Sequence, residues 1–146
     1  MKTIYLDNAS TTPIDPSVIQ IMQESMQDNF GNPSSTHQYG RKAKNLVENA
    51  RRSIANLLRV SASEIIFTAG GTEADNLVLY NAVTNLAVKR IISSRIEHHA
   101  VTNTIDFLKE THSITVEYVN INSSGVVSLD HLAALLMSCK KKTLVS

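Results

Sequence analysis

Between residues 65 and 145, short apolar runs alternate with longer stretches of helical period. Ile65 to Thr68, Arg90 to Ser93, Ile114 to Val119 and Thr143-Leu144-Val145 read as strands. About Thr72 to Val88, about Ala100 to Glu110 and Leu129 to about Cys139 read as helices. Strands that alternate with helices predict a three-layer α/β/α arrangement, with mostly parallel pairing and right-handed crossovers. The last apolar run has only just begun where the sequence stops at Ser146. A finished domain rarely stops there, so the chain is read as the front part of a longer protein.

The part before residue 65 is helical. Asp15-Pro16 reads as an N-cap followed by proline in the first turn, and Val18, Ile19, Met22 and Met26 share one face of the helix that follows. Phe30-Gly31-Asn32-Pro33 stops it. A second helix is expected from about Thr36 to Leu58, with Ala43, Leu46, Val47, Ala50, Ile54, Leu57 and Leu58 as its buried stripe.

Charge limits the partners. Lysine and arginine total 14 against 13 acids, so bulk charge recruits neither nucleic acid nor a membrane surface. A charged ligand must be caught by a local site. No run approaches the roughly 18 apolar residues of a membrane span, and the start has no apolar signal segment. The single cysteine, Cys139, excludes an internal disulfide and fits a reducing, cytoplasmic setting.

The expected turn from the first strand into its helix reads Phe67-Thr68-Ala69-Gly70-Gly71-Thr72-Glu73-Ala74-Asp75-Asn76. The first amides of such a helix have no partners within it and lie at the positive end of its dipole, where a phosphate is a natural guest. Two glycines leave room for close approach, and the Thr72 hydroxyl either caps the helix or meets a phosphate oxygen. Glu73 suits the first turn of a helix better than the neighbourhood of a phosphate. A simple turn with a threonine cap explains the same residues, and both readings stay open. The lysine of a nucleotide-triphosphate loop and the G-x-G-x-x-G of a dinucleotide site are absent.

Glu97-His98-His99 follows the next strand. Ligands of open α/β sheets sit outside the carboxyl ends of the strands, so this cluster and the glycine turn stand in equivalent places on two strands and can face one pocket. Adjacent histidines point different ways and no H-E-x-x-H spacing exists, so no metal site is expected. An imidazole can lie flat on a planar ligand. An exposed polar loop is the plainer reading of these histidines.

Taken in order, these segments resemble the cysteine desulfurases, pyridoxal-phosphate enzymes of the class V aminotransferase group. Tyr5-Leu6-Asp7-Asn8-Ala9-Ser10-Thr11-Thr12-Pro13 is similar to their opening signature. Asn29-Phe30-Gly31-Asn32-Pro33-Ser34-Ser35 with His37 and Gly40 is similar to their next one. The glycine turn resembles the segment that holds the cofactor phosphate, and Glu97-His98-His99-Ala100-Val101 resembles the one whose first histidine stacks on the pyridine ring.

The resemblance implies a partial large domain of the pyridoxal-phosphate transferase fold (fold type I), with residues 1–35 an N-terminal segment and 36–146 the incomplete cofactor-binding domain. It implies pyridoxal 5′-phosphate held by Gly71, Thr72 and His98, His98 as acid or base, and Asn8 and Ala9 near the substrate. It further implies L-cysteine as substrate, a sulfur-acceptor protein for iron–sulfur assembly or tRNA thiolation, and a homodimer. The cofactor-bearing lysine and the sulfur-carrying cysteine of the family fall downstream of Ser146, so these residues alone are expected to be inactive. The same resemblance implies that the strand at Ile65 to Thr68 lacks its partner here, and that apolar surface is left uncovered. Another class V enzyme, an aminotransferase or selenocysteine lyase, and a non-catalytic phosphate-binding module are the competing readings.

Overall fold

Three parallel strands form one sheet. They are β1 (Arg90–Ser93), β2 (Thr115–Tyr118) and β3 (Thr143–Val145), in the spatial order β2-β1-β3. The computed structural model describes residues 3–146, and the sheet belongs to the second of two compact units, Met1–Ile66 and Phe67–Ser146. Three helices complete that unit: α3 (Gly71–Thr84), α4 (His99–His112) and α5 (Leu129–Met137).

The register explains the layers. Ile91 stands between Val116 and Leu144. All three pack into one cluster with Leu79, Ala82 and Val83 of α3 and Val101, Ile105 and Leu108 of α4. Successive strand residues face opposite sides, so Arg90 and Ile92 face the other way. There the Arg90 guanidinium reaches the C-terminal end of α5, donating to the Leu135 carbonyl at 2.7 Å and to Ser138 Oγ at 3.2 Å. Thus α3 and α4 cover one face and α5 the other. The central strand β1 is buried along its whole length. This is what right-handed crossovers require, because β1 to β2 and β2 to β3 run in opposite directions across the sheet.

Arg90 is 1% exposed. Its Nε pairs with Glu117, and its other contacts are carbonyl and hydroxyl oxygens at a helix C-terminus, where a cation is favoured. One guanidinium nitrogen, Nη1, is buried with no partner among the described residues.

The first unit contains α1 (Pro16–Asp28) and α2 (Gln38–Leu58). Asp15 caps α1 as expected, accepting from the Ser17 N–H at 2.8 Å, and the Ser17 hydroxyl and N–H hold its carboxyl below the usual range. His37 caps α2, its Nδ1 accepting from the Gly40 N–H at 3.3 Å. Glycine is required at two places in this unit. A Cβ on Gly40 would strike the Asn32 and Ser35 carbonyls, and one on Gly31 would strike the Tyr39 carbonyl. The signature around Asn29–Gly40 is therefore, first of all, a close packing of a turn against a helix start.

Two expectations fail. Residues 65–68 form no strand: a strand needs a ladder of backbone pairs, and the sheet among the described residues consists of β2, β1 and β3 alone. The stripe of α2 is not buried: only Gly40, Ala43 and Ala55 are, whereas Leu57 is 84% and Leu58 63% exposed. Helical period shows which face is apolar but not whether anything covers it. The apolar face of α1 is also exposed at Val18, Ile19, Met22 and Met26. Among the described residues no helix is long and apolar enough to cross a membrane.

Candidate functional site

The site is built where α3 and α4 begin. The two helices lie side by side and run the same way, since Asn76 meets Thr104 and, about one turn on, Tyr80 stacks on Phe107 with ring centroids 6.4 Å apart. Because α4 follows β1, both helices start at the carboxyl end of the sheet.

Gly70 is the N-cap of α3, with extended backbone and no side chain to cap with. The first helical bond is made by the Ala74 N–H to the Gly70 carbonyl at 3.1 Å. The amides of Gly71, Thr72 and Glu73 are therefore left without helical acceptors. A Cβ at Gly70 or Gly71 would meet nothing within 4 Å, so the space before these amides is open. Thr72 is the second residue of the helix, past the cap position that Gly70 occupies. Glu73 folds back, and its carboxylate accepts from the Ala69 N–H at 2.5 Å. That contact gives the acid a structural task and draws its charge toward the residue before the turn.

His98 is the N-cap of α4. Its Nδ1 accepts from the Ala100 N–H at 3.1 Å, which fixes the ring on the helix start. An accepting Nδ1 carries no hydrogen, so the neutral ring holds its hydrogen on Nε2. His99 is the first helical residue, and its ring centroid lies 6.1 Å from that of His98.

Thr72 and His98 line one cavity of about 260 Å³, together with Asn76, His99, Asn103 and Thr104. A broader depression of about 790 Å³ adjoins it along α3, lined by Ala69 to Glu73 and by Tyr80, and shares Thr72 and Asn76 with the first. Open amides suit an anion, and an imidazole at the edge of the cavity suits a planar ring. The residues present thus fit both ends of a phosphorylated aromatic ligand.

Asn8 and Ala9 lie in an exposed turn of the other unit, in which the Ser10 N–H donates to the Asp7 carbonyl at 3.1 Å. Cys139, half-buried after α5, is not among the residues that line either cavity; its sulfur accepts from the Lys141 N–H at 3.4 Å. Sequence reasoning passed over Asn76 as a lining residue. Its spacing of four from Thr72 puts both on one helix face, and that signal was available.

The fold and the site define a three-layer α/β chain with its helix starts gathered over the carboxyl end of a parallel sheet. The chain belongs to the class V aminotransferase family, whose model matches residues 4–146. It is 43% identical over 137 residues to a cysteine desulfurase of Nostoc sp., covering 93% of this chain and 34% of that protein. It is 44% identical over 138 residues to the cysteine desulfurase IscS of Azotobacter vinelandii, covering 91% of this chain and 34% of that one. Among solved structures, a NifS-like protein superposes with a TM-score of 0.82 at 35% identity, over 94% of this chain and 38% of the other. A NifS-like protein from Rickettsia africae gives 0.79 at 37% identity, over 99% and 39%. The chain therefore spans about a third of the length of the curated relatives it matches.

Proposed function

We propose that these residues are the N-terminal part of a pyridoxal-phosphate-dependent cysteine desulfurase. Such an enzyme takes sulfur from L-cysteine as a persulfide on the protein and releases L-alanine. Residues 36–146 would be the incomplete cofactor-binding domain. A sulfur-acceptor protein, in iron–sulfur assembly or tRNA thiolation, a homodimeric enzyme and a cytoplasmic setting belong to the same reading.

The observation that carries it is the shared cavity of Thr72 and His98. The Gly71 and Thr72 amides, with the Thr72 hydroxyl, would bind the phosphate. The imidazole of His98 would lie on the ring and, through Nε2, hold or pass a proton near the substrate. Asn8 and Ala9 would contact the substrate. When bound, the cofactor supplies an electron sink for substrate bond cleavage.

Amide spectra of the 15N-labelled chain test the binding. Pyridoxal 5′-phosphate is expected to shift Gly71, Thr72 and Ala100, and pyridoxal without the phosphate to do so far more weakly. Gly71→Val is expected to leave the fold intact, since its side chain enters open space, and to weaken phosphate binding roughly tenfold by blocking the amides. Unshifted amides at 71 and 72 would overturn the reading.

The 146 residues by themselves are expected to release no alanine from L-cysteine beyond a control with free cofactor, because neither the family's lysine nor its sulfur-carrying cysteine is matched within them. Alanine release above that control would show that Cys139 or another residue had taken the part.

A further inference from the structure

The two ends of the site sit on different helices. A ligand that spans them requires the start of α3 and the imidazole on α4 to be held at a fixed separation. A chain of contacts runs between them. Asn76 lies one turn beyond Thr72 on α3. Its side-chain oxygen meets the Thr104 hydroxyl of α4. That hydroxyl also meets the Ala100 carbonyl at 2.8 Å. The Ala100 N–H in turn donates to Nδ1 of His98.

The hydroxyl has one hydrogen for two acceptors. Turning the Asn76 amide so that its NH2 donates to Thr104 leaves that hydrogen for the Ala100 carbonyl, and both contacts of the hydroxyl are satisfied. In either orientation this polar contact between the helices lies in the lining of the cavity, since Asn76 and Thr104 line it together with Thr72 and His98. The rest of the helix contact is apolar or aromatic, through the core cluster and the ring contacts that Tyr80 makes with Phe107 and His112 further from the two starts.

We propose that Asn76 and Thr104 are positioning residues that set the separation between the phosphate end and the imidazole end of the site. This rests on the function proposed above. It deepens that reading by assigning a task to two residues that line the cavity between the groups proposed to hold the phosphate and the ring. A single hydrogen bond of this kind is worth about tenfold in an equilibrium constant.

The test compares two probes on the wild-type chain and on Thr104→Val and Thr104→Ser. Inorganic phosphate needs only the amides of α3. Pyridoxal 5′-phosphate needs both ends. Thr104→Val, which keeps the shape and loses the hydroxyl, is expected to weaken pyridoxal 5′-phosphate roughly tenfold and to leave inorganic phosphate unchanged; Thr104→Ser is expected to restore wild-type binding. Equal weakening of both probes would mark a general loss of structure and overturn the proposal, as would Thr104→Val binding like wild type. If the wild-type chain binds neither probe, the proposed function itself fails, and the pair is then judged without ligand. Asn76→Ala and Thr104→Val are expected to shift the Thr72 and Ala100 amides alike, the double variant no further than either alone. Additive shifts would show that the two side chains act independently.

Discussion

Glu117→Ala is expected to destabilise the second unit by about 2–3 kcal/mol, whereas Arg90→Met is expected to cost much less. Arg90 is almost wholly buried, and Glu117 supplies its only anionic partner among the described residues, with a side chain about one-third exposed. Removing the carboxylate strands a cation whose Nη1 already lacks an acceptor among the described residues. Breaking a buried pair from one side typically costs ~3–5 kcal/mol, and the solvent access of Glu117 lowers that figure here. Methionine instead removes the charge together with its desolvation and fills similar volume. Urea unfolding of the two variants beside wild type gives the comparison. Equal losses would mean that the guanidinium contributes through its bonds to Leu135 and Ser138 rather than through the ion pair.

Leu108→Ala is expected to cost about 3 kcal/mol, and Phe107→Ala, one residue earlier, about 1 kcal/mol. Leu108 is fully buried in the cluster between α3, α4 and the sheet, so truncation leaves a cavity lined by Ile105, Val83 and their neighbours. Phe107 is 50% exposed and makes a stacked contact with Tyr80 on the outer side of the helix pair. The midpoint of urea unfolding at constant slope separates the two. A larger loss for the aromatic residue would mean that the face of α4 that meets the sheet had been wrongly identified.

Much of this fold was legible in the sequence because alternation and turn chemistry are local. The strands at 90–93, 115–118 and 143–145 and the helices between them lie within a few residues of their expected places. The failures are non-local. Ile65 to Thr68 has strand composition, but pairing needs a second segment, and composition does not supply one. The stripe of α2 is periodic, yet burial depends on what lies against it. Arg90 gave no sign of its environment, because its partners are 27, 45 and 48 residues away. Of the candidate site, the position of the His98 turn was legible, since it follows β1 and a parallel layer gathers its strand-to-helix turns at one edge; the start of α3 follows no strand and reaches the same end by lying alongside α4. Which glycine amides stay open, and that the histidine caps its own helix through Nδ1, are matters of hydrogen-bond geometry. No pattern of residue types encodes them.

The sheet order has a consequence for how the chain assembles. β1 and β2 become neighbours as soon as α4 has closed the short path between them. The other edge of β1 waits for Thr143–Val145, roughly fifty residues later along the chain. Until that segment arrives, the most deeply buried strand has one row of backbone groups open to chance pairing with another molecule. Because such late closure is slow, the interval before the third strand docks is when a newly made chain is most exposed to aggregation.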